Sequence, residues 1–271
     1  MKLLLKINIL LILTSYSYSI IATEDLMGSF GLSSMQFNYQ EFKPNGVLFN
    51  EEHGILPGIK IGITQKLSQG FISASLSYYL NEVNYKGETQ AGLPFTTRTD
   101  EKLIDLLVQW GQRLKTSRYL TYQGYVGLGF HQWQRDIRST STVLGLLENY
   151  QWWYGLLGLQ SIWPINDKSR LQMDLRFTYP IHPTIKIDFQ GIFDEQQFNL
   201  NGQWGQYFSL AWQYQYSDTM KIIFEPYLEY WHFAQSATQP LTRHGQIVGS
   251  LFEPGSETHN YGLTIYLQRS F

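Results

Sequence analysis

Hydrophobic and polar residues alternate along most of this chain, in segments of about ten residues that end at turn-forming sequences. In the segment 71–80, Ile72, Leu76 and Leu80 fall on one face, while Ser73 and Ser75 fall on the other. Successive side chains of a strand point to opposite faces, so this pattern predicts strands with one apolar and one polar face. The predicted strands lie near 28–42, 59–66, 71–80, 104–113, 120–131, 150–163, 171–179, 206–216, 220–233 and 260–271.

The breaks between these segments alternate strictly between short and long. The short breaks lie at 68–70, 115–117, 166–169 and 217–219. The long ones run over about 43–58, 86–100, 137–148, 180–202 and 235–257. Tight turns on one side and long loops on the other are typical of outer-membrane barrels. We therefore predict an all-β fold, a closed antiparallel up-and-down transmembrane barrel of ten strands with both ends on the periplasmic side.

Two observations separate this prediction from a soluble β-sandwich, which gives the same alternation. Many segments have nine residues or more, the length that a tilted strand needs to cross a membrane. Aromatic residues are 16% of the chain and charged residues only 15%, and the aromatic ones gather near strand ends as in interfacial girdles. Eight or twelve strands remain alternatives if 150–163, which is apolar on both faces, or 185–198 is assigned differently.

The first 22 residues have the features of a secretory signal peptide. Lys2 and Lys6 precede a short apolar run over 7–13, and small residues permit cleavage after Ala22 or after Ser19. We place the mature barrel domain at 23–271; an N-terminal membrane anchor is the alternative. The mature chain then has 18 basic and 22 acidic side chains, which offers no basic surface for nucleic acid. The chain has no Cys, so disulfides and thiolate metal sites are excluded.

The C-terminal segment resembles the assembly signal of bacterial outer-membrane barrels. A polar residue, a glycine and alternating hydrophobic residues lead to a terminal aromatic residue, and the residues of the resemblance are Tyr261, Gly262, Leu263, Ile265, Leu267 and Phe271. The resemblance implies that the barrel assembly machinery recognises this segment during biogenesis.

A second resemblance covers about the last fifty residues. The segment 225–231, followed by Ser236, Glu253-Pro254, Thr258 and the segment 261–263, is similar to the closing hairpin of a group of small outer-membrane barrel proteins that mostly lack an assigned activity. Here Gly255 follows Glu253-Pro254 in place of the usual Asn. The resemblance supports the fold and implies no chemistry.

The predicted inner face carries an unusual set of charged residues. They are Lys60, Asp105, Arg113, His131, Asp174, Arg176, Glu225 and Glu229. The interior of a small barrel is just wide enough for side chains, and buried charges must pair. We therefore predict a largely filled lumen with paired charges; a selective, narrow porin-like channel is the alternative.

Comparison with two classes of barrel enzyme finds incomplete matches. The omptin proteases, which are also ten-stranded, need an Asp pair and an Asp–His pair. Neither motif is found in the outer segments of this chain. The second of these segments offers Glu82, Glu88, Asp100 and Glu101, and the fourth offers His182, Asp188, Asp194 and Glu195. A lipid A deacylase uses Ser, His and an acid, and Glu229, His232 and Ser236 do not match its spacing. The scattered histidines show no metal-binding spacing, and no cofactor motif is present.

The sequence thus predicts a protein of the Gram-negative outer membrane, acting as a structural or surface-interaction barrel, for example a surface antigen, through long extracellular loops. Its expected partners are outer-membrane lipid and lipopolysaccharide, the barrel assembly machinery and an extracellular partner of unknown nature, with no nucleic acid. A narrow channel is the first alternative. An outer-membrane enzyme, omptin-like or lipid A-modifying, is the second, and the incomplete motifs favour a role without catalysis.

Overall fold

The computed structural model describes residues 26–89 and 92–271, and the predicted signal peptide therefore lies outside the described residues. The described chain folds into β-strands that form one closed barrel, with a separate two-stranded sheet. Among these residues, no helix is long and apolar enough to cross a membrane.

Ten long strands form the barrel and four short strands lie at one of its ends. The barrel strands are β1 (Leu26–Phe42), β2 (Leu48–Leu67), β3 (Gly70–Glu88), β4 (Pro94–Thr116), β5 (Thr121–Ile137), β6 (Leu147–Pro164), β7 (Ser169–Asp188), β10 (Gly205–Gln215), β11 (Met220–Ala234) and β14 (Gly255–Ser270). The short strands are β8 (Gln196–Asn199), β9 (Asn201–Gly202), β12 (Gln239–Arg243) and β13 (Gln246–Leu251).

Each barrel strand pairs antiparallel with the next barrel strand along the chain, and one further pairing, between β1 and β14, closes the cylinder. The β1–β14 ladder begins at the pair Met27 and Ser270, and the β7–β10 ladder begins at the pair Thr178 and Gly205. Closure gives the backbone groups of every barrel strand partners on both sides, which a lipid environment requires. The predicted fold class, a closed up-and-down barrel of ten strands, is confirmed.

The side chains that face away from the lumen form an apolar band around the barrel. Its exposed members include Ile59, Ile61, Ile63, Leu106, Val108, Trp110, Val126, Leu128, Leu157, Leu159, Phe208, Leu210, Leu263, Ile265 and Leu267. Exposing so much apolar surface is unfavourable in water, and the band therefore lies in a bilayer. Transmembrane barrels of this type belong to the bacterial outer membrane, where their short turns face the periplasm.

The barrel continues well beyond this band at the end opposite Leu26 and Phe271. Outward-facing residues become polar at Lys102 in β4, Gln132 in β5, Gln151 in β6 and His259 in β14. β4 has 23 residues, whereas a membrane strand needs about 9–11. We call the part of the barrel beyond these four positions the extramembrane wall.

The four predicted tight turns are present, but the predicted long outer loops are mostly strand. The connections β1–β2, β3–β4 and β5–β6 occupy only 43–47, 89–93 and 138–146. The sequence prediction of long loops was wrong there because it took polar outward residues as a sign of loops. In the extramembrane wall the outward face meets water, so polar residues on that face are compatible with a strand.

Two features of the strand sequences can disturb pairing: Pro226 in β11, which has no backbone N–H, and the Ser33-Ser34 pair in β1, where the alternation of hydrophobic and polar residues changes phase. Pro226 in β11 is expected to disturb pairing, and Leu210 and Ala211 of β10 indeed have no β11 partners beside it, although the register continues unchanged. A register shift near Ser33 and Ser34 is absent from both ladders of β1.

Candidate functional site: the barrel lumen

The lumen consists of a filled outer part and an open inner part. Every second residue of each strand points inward, and these residues are large and aromatic in the extramembrane wall but small or polar towards the periplasm. We describe three layers in turn: an outer cluster of charged groups, an aromatic layer below it, and an inner cavity.

Arg135 of β5 lies at the centre of the outer cluster and its side chain has no exposed surface. Its guanidinium donates to Glu41 Oε1 at 2.9 Å, to Glu52 Oε1 at 3.0 Å and to Glu148 Oε2 at 2.6 Å. It also donates to the Tyr150 hydroxyl at 3.2 Å. One arginine thus links carboxylates from β1, β2 and β6 at the centre of the barrel through charge-assisted hydrogen bonds.

Two further carboxyl groups complete the outer cluster. Glu101 of β4 accepts a hydrogen bond from the Trp133 indole, and Glu253 accepts one from the Tyr150 hydroxyl at 2.7 Å. Tyr39 packs over Arg135, with the guanidinium carbon 4.3 Å from the ring centroid. We define the outer cluster as Arg135, Glu41, Glu52, Glu101, Glu148, Glu253, Tyr39 and Tyr150.

The protonation of the outer cluster follows from its excess of acids. It lies in the extramembrane wall, outside the membrane-spanning segments. Burial, only partly offset by Arg135, raises the pKa of Glu148 to about 7. Burial and the neighbouring Glu52 raise the pKa of Glu101. At Glu52 burial acts in the same raising direction, but the charge of Arg135 together with hydrogen bonds from Glu101, Arg135 and Thr99 outweighs it and lowers the pKa. The cluster therefore holds protons on some carboxyls at neutral pH, which relieves the repulsion among five acids.

The aromatic layer lies directly beneath the outer cluster. His131 stacks on Trp152 with ring centroids 4.3 Å apart, and Trp231 meets Trp152 at 5.4 Å and Tyr154 at 5.3 Å in edge-to-face geometry. Phe233 packs edge-on against Trp152 at 5.0 Å. We define the aromatic layer as these five residues. Such contacts bury large apolar area and fill the cross-section below the charged groups.

The inner cavity has a volume of about 700 Å³ and reaches from the aromatic layer to the periplasmic rim. His131, Tyr154 and Trp231 line its closed end, and Leu67 and Thr116, at inner strand ends, line its opening. A filled lumen, as predicted, is therefore found only in the outer part. The small residues that face inward in β2 and β3, such as Gly62 and Ser75, leave the inner part unfilled.

The predicted lumen charges all point inward. Seven line the inner cavity, namely Lys60, Asp105, Arg113, His131, Arg176, Glu225 and Glu229. The eighth, Asp174, is buried; it accepts hydrogen bonds from Tyr125 and from Arg176 at 2.6 Å. The predicted charge pairing is thus found for only part of the set.

Two of the unpaired members, Lys60 and Glu225, have aromatic neighbours instead of opposite charges. Lys60 Nζ lies 4.3 Å from the ring centroid of Tyr227. Glu225 accepts a hydrogen bond from the Tyr207 hydroxyl at 2.9 Å, so its nearest donor is neutral. Cation–π contacts and tyrosine hydroxyls therefore take the place of part of the expected salt-bridge network.

A carboxylate and an imidazole lie side by side at the closed end of the cavity. Asp105 Oδ2 lies 3.2 Å from His131 Nδ1, and the Tyr154 hydroxyl donates to both Asp105 oxygens at about 3 Å. The Tyr154 ring passes over Gly129, where a Cβ atom would lie 2.1 Å from the ring. Gly129 thus leaves room for the tyrosine that orients Asp105.

The structure keeps the residues considered for proteolysis apart. Glu82 and Asp100 are salt-bridged to Arg138, and Glu101 is in the outer cluster. Asp194 accepts hydrogen bonds from the His244 and Gly245 amides, at 3.0 and 2.9 Å. The remaining candidates are dispersed over the outer end: Glu88 contacts Lys43, Glu195 contacts Lys186, Asp188 Oδ1 accepts from the Gln190 amide, and exposed His182 has a positive φ of 49°.

The residues considered for lipid A chemistry are also separated. His232 faces outward from β11, whereas Glu229 points into the lumen and accepts from Asn260 at 3.2 Å. Ser236 instead bonds Glu253: its backbone amide donates to the Glu253 carbonyl at 3.0 Å, and its hydroxyl accepts from the Glu253 amide at 2.8 Å. Ser236, a residue of the second sequence resemblance, thus holds Glu253 in the outer cluster.

The residues named for the C-terminal signal lie on β14 or directly after it. Tyr261, Leu263, Ile265 and Leu267 face outward in the apolar band, and Phe271 is exposed at the periplasmic rim. At Gly262, a Cβ atom would lie 2.7 Å from the Tyr227 ring, so this glycine permits close packing. Recognition by the assembly machinery stays a prediction.

Sequence reasoning missed Arg135 and treated Glu52, Glu148 and Glu253 as loop residues. The available signal was the alternation of 132–136, in which Trp133 and Arg135 continue the inward positions of β5 beyond the membrane. An arginine at an inward position predicts buried acidic partners.

Comparison with protein-family models and with curated proteins finds no match. Among solved structures, the chain is similar to the outer membrane protease OmpT from Escherichia coli, with 13% identity over 92% of this chain and 98% of that one and a TM-score of 0.59. The translocator domain of the autotransporter NalP from Neisseria meningitidis matches with 10% identity over 92% and 90% and a TM-score of 0.43. The toluene transporter TbuX from Ralstonia pickettii matches with 8% identity over 92% and 90% and a TM-score of 0.42. At these identities the likeness concerns the fold.

Proposed function

We propose that this chain is a non-conducting outer-membrane barrel that presents its extramembrane wall to a partner outside the cell. The observation that carries the proposal is the complete burial of Arg135 among carboxylates and aromatic rings at the centre of the barrel. A water-filled path for ions would hydrate this guanidinium and weaken its ion pairs.

The outer surface of the wall supports the second half of the proposal. It is a strand framework with polar, charged side chains: Arg138 pairs with Glu82 and, at 2.8 Å, with Asp100, and Lys86 pairs with Glu51. Binding to a preformed surface loses less conformational entropy than binding to flexible loops. The wall therefore suits recognition of a partner by shape and charge.

Conductance in planar bilayers tests the closed lumen. Purified barrel, shown to be folded by its heat-dependent mobility on a gel, is expected to give no single-channel steps. Regular steps from folded protein would replace this proposal with the narrow channel. A barrel from a general porin, reconstituted in parallel, is the control for the sensitivity of the measurement.

Replacement of the outer hairpin tests the surface role. Residues 239–251, which form β12 and β13, are exchanged for a short Gly-Ser connection, and adhesion of whole cells and binding of antibodies to the surface are compared with the parent. The control exchanges the periplasmic turn 117–119. The surface role would be contradicted if binding stayed unchanged both in the hairpin variant and in variants of the outward charges of β4. A separate incubation with basic peptides tests proteolysis, which would be favoured by cleavage that is lost in His182→Ala.

A further inference from the structure

The periplasmic end of the inner cavity carries four cations that we call the cationic rim. They come from four different strands: Lys66 from β2, Arg113 from β4, Arg170 from β7 and Lys221 from β11. In residues 26–89 and 92–271, none of the four has a salt-bridge partner within 4.0 Å.

Three of the four rim cations have glutamines as cross-strand neighbours, and Lys66 pairs in register with Phe71. Arg113 pairs in register with Gln123, Arg170 with Gln213, and Lys221 with Gln215 on one side and Gln268 on the other. Asp167, in the turn before β7, borders a small recess together with Arg170 and Lys221 but lies beyond salt-bridge distance. The rim charge is therefore largely uncompensated by the described chain.

Farther into the cavity, hydrogen-bond donors also lack acceptors. Gln109, Thr178 and Trp231 line the cavity. Gln109 Nε2, the Thr178 hydroxyl and the Trp231 indole N–H are buried and have no partner among the described residues. Buried polar groups without partners are costly, and oxygen atoms of a bound molecule are the acceptors that they require.

We infer that the inner cavity is a binding site for a small organic anion, carrying phosphate or carboxylate groups, that enters from the periplasm. The volume of about 700 Å³ is suited to a molecule of ordinary metabolite size. The rim attracts and holds the anionic group, because clefts lined by one sign of charge concentrate ions of the opposite sign. The carboxylates Asp105, Glu225 and Glu229 lie deeper, so the anionic group stays at the rim and a neutral polar part reaches inward.

Calorimetric titration of the full-length barrel in nanodiscs at low ionic strength tests the site. The probes are pyrophosphate and citrate, which separate phosphate from carboxylate preference, and trehalose as the neutral probe. Saturable binding of at least one anion and none of trehalose is expected. The absence of saturable binding by both anions would overturn the inference.

Variants distinguish a defined site from general attraction. Arg113→Gln with Lys221→Gln is expected to weaken anion binding by about tenfold or more, which raises Kd with little change in the folded state. Arg118→Gln removes one positive charge from the exposed β4–β5 turn, outside the cavity. It is expected to change Kd by less than about twofold. Equal weakening by Arg118→Gln and by Arg113→Gln alone would show diffuse attraction and would overturn the site.

A third variant examines the buried donors. Gln109→Leu removes the unpartnered amide while leaving the rim unchanged. It should weaken the binding of glucose 6-phosphate, whose neutral sugar can reach inward from the rim, by severalfold, and should leave the Kd of pyrophosphate nearly unchanged. Gln112→Leu, on the outward face of β4, is the matched control. Heat-dependent mobility on a gel verifies the folding of each variant. An unaffected Kd for glucose 6-phosphate in Gln109→Leu would exclude this donor from the site.

Discussion

At the scale of single residues, the outer cluster depends on one guanidinium. Arg135 contacts carboxylates that are remote from one another in sequence, and it is fully buried, so its charge has no water to replace them. Three ion pairs and a cation–π contact thereby replace the water molecules that would solvate Arg135 in the unfolded chain. The same residue fills the lumen and joins the strands.

Replacement of Arg135 is expected to cost stability. Arg135→Met removes the cation and leaves Glu41, Glu52 and Glu148 in repulsion, which destabilises the barrel by about 3–5 kcal/mol. Urea unfolding in lipid vesicles, followed by Trp fluorescence, measures the loss. Arg138→Gln removes a half-exposed salt bridge in the neighbouring β5–β6 connection and should leave the unfolding midpoint nearly unchanged. Equal losses in the two variants would contradict the central role of Arg135.

The raised pKa of Glu148 predicts an effect of pH on the extramembrane wall. Its pKa is about 7 in the folded barrel, above the ordinary value of 4.5, so protonation favours the folded state. This stabilisation is complete below about pH 4.5 and is lost as the pH rises through about 7. The lowered pKa of Glu52 has the opposite sign, but Glu101 and Glu253 act in the same direction as Glu148.

Hydrogen exchange of the outer end of β6 tests this prediction. Protection, corrected for the intrinsic dependence of exchange on pH, should be greater at about pH 5.5 than at about pH 8.5. Glu148→Gln carries a permanent neutral amide and should flatten the difference. A parent barrel that is equally protected at both values would show that the carboxyl remains ionised in the fold.

At the scale of elements, the outer end is completed by segments that pack on the barrel strands. Ile185 and Ile187 of β7 and Phe198 of β8 belong to the hydrophobic core, whereas Ile247 and Val248 of β13 remain exposed. The apolar residues of the two longest outer connections thus contribute partly to packing and partly to the surface. Asp194 joins these connections through the backbone amides of the β12–β13 turn.

Loss of the Asp194 contact should release the β12–β13 hairpin. Asp194→Ala leaves the amides of His244 and Gly245 without their acceptor, so trypsin is expected to cleave after Arg243 several times faster in reconstituted barrel. Glu195→Ala, which removes only an exposed contact with Lys186, is the matched control. Equal cleavage rates in parent and variant would mean that the hairpin is held by other contacts.

At the scale of the whole molecule, the barrel is a cup closed on the outside and open to the periplasm. The apolar band supports it in the membrane, the extramembrane wall contains the outer cluster, and the inner cavity occupies the membrane-level and periplasmic part. This shape separates two surfaces: the wall faces the exterior, and the cavity opens to the periplasm.

The sidedness of the cup predicts where an introduced thiol reacts. The parent has no Cys, so single substitutions report cleanly. Ser75→Cys in the inner cavity should stay unlabelled in intact cells by a maleimide too large for general porins, and should react once the outer membrane is disrupted. Asn84→Cys, exposed on the outward face of β3 in the wall, should react in both cases. Labelling of Ser75→Cys in intact cells would indicate a path through the outer cluster.

Alternation along the chain was sufficient to predict the closed barrel, its ten strands and its inner turns. The reason is that lipid imposes the same local rule on each strand: apolar residues outward, with turns where the rule stops. The inward direction of Lys60, Asp105 and Arg176 followed from that rule as well. Each of these conclusions depends on neighbours within a few residues along the chain.

The outer cluster and the extent of the cavity required the folded arrangement. Arg135 meets Glu41, Glu52 and Glu148 only because the cylinder brings β1, β2, β5 and β6 to one level, and the sequence separations of 94, 83 and 13 residues have no periodic relation. The filling of the lumen likewise depends on side-chain volumes summed over ten strands at each level. These are long-range properties, and no single segment of the chain contains them.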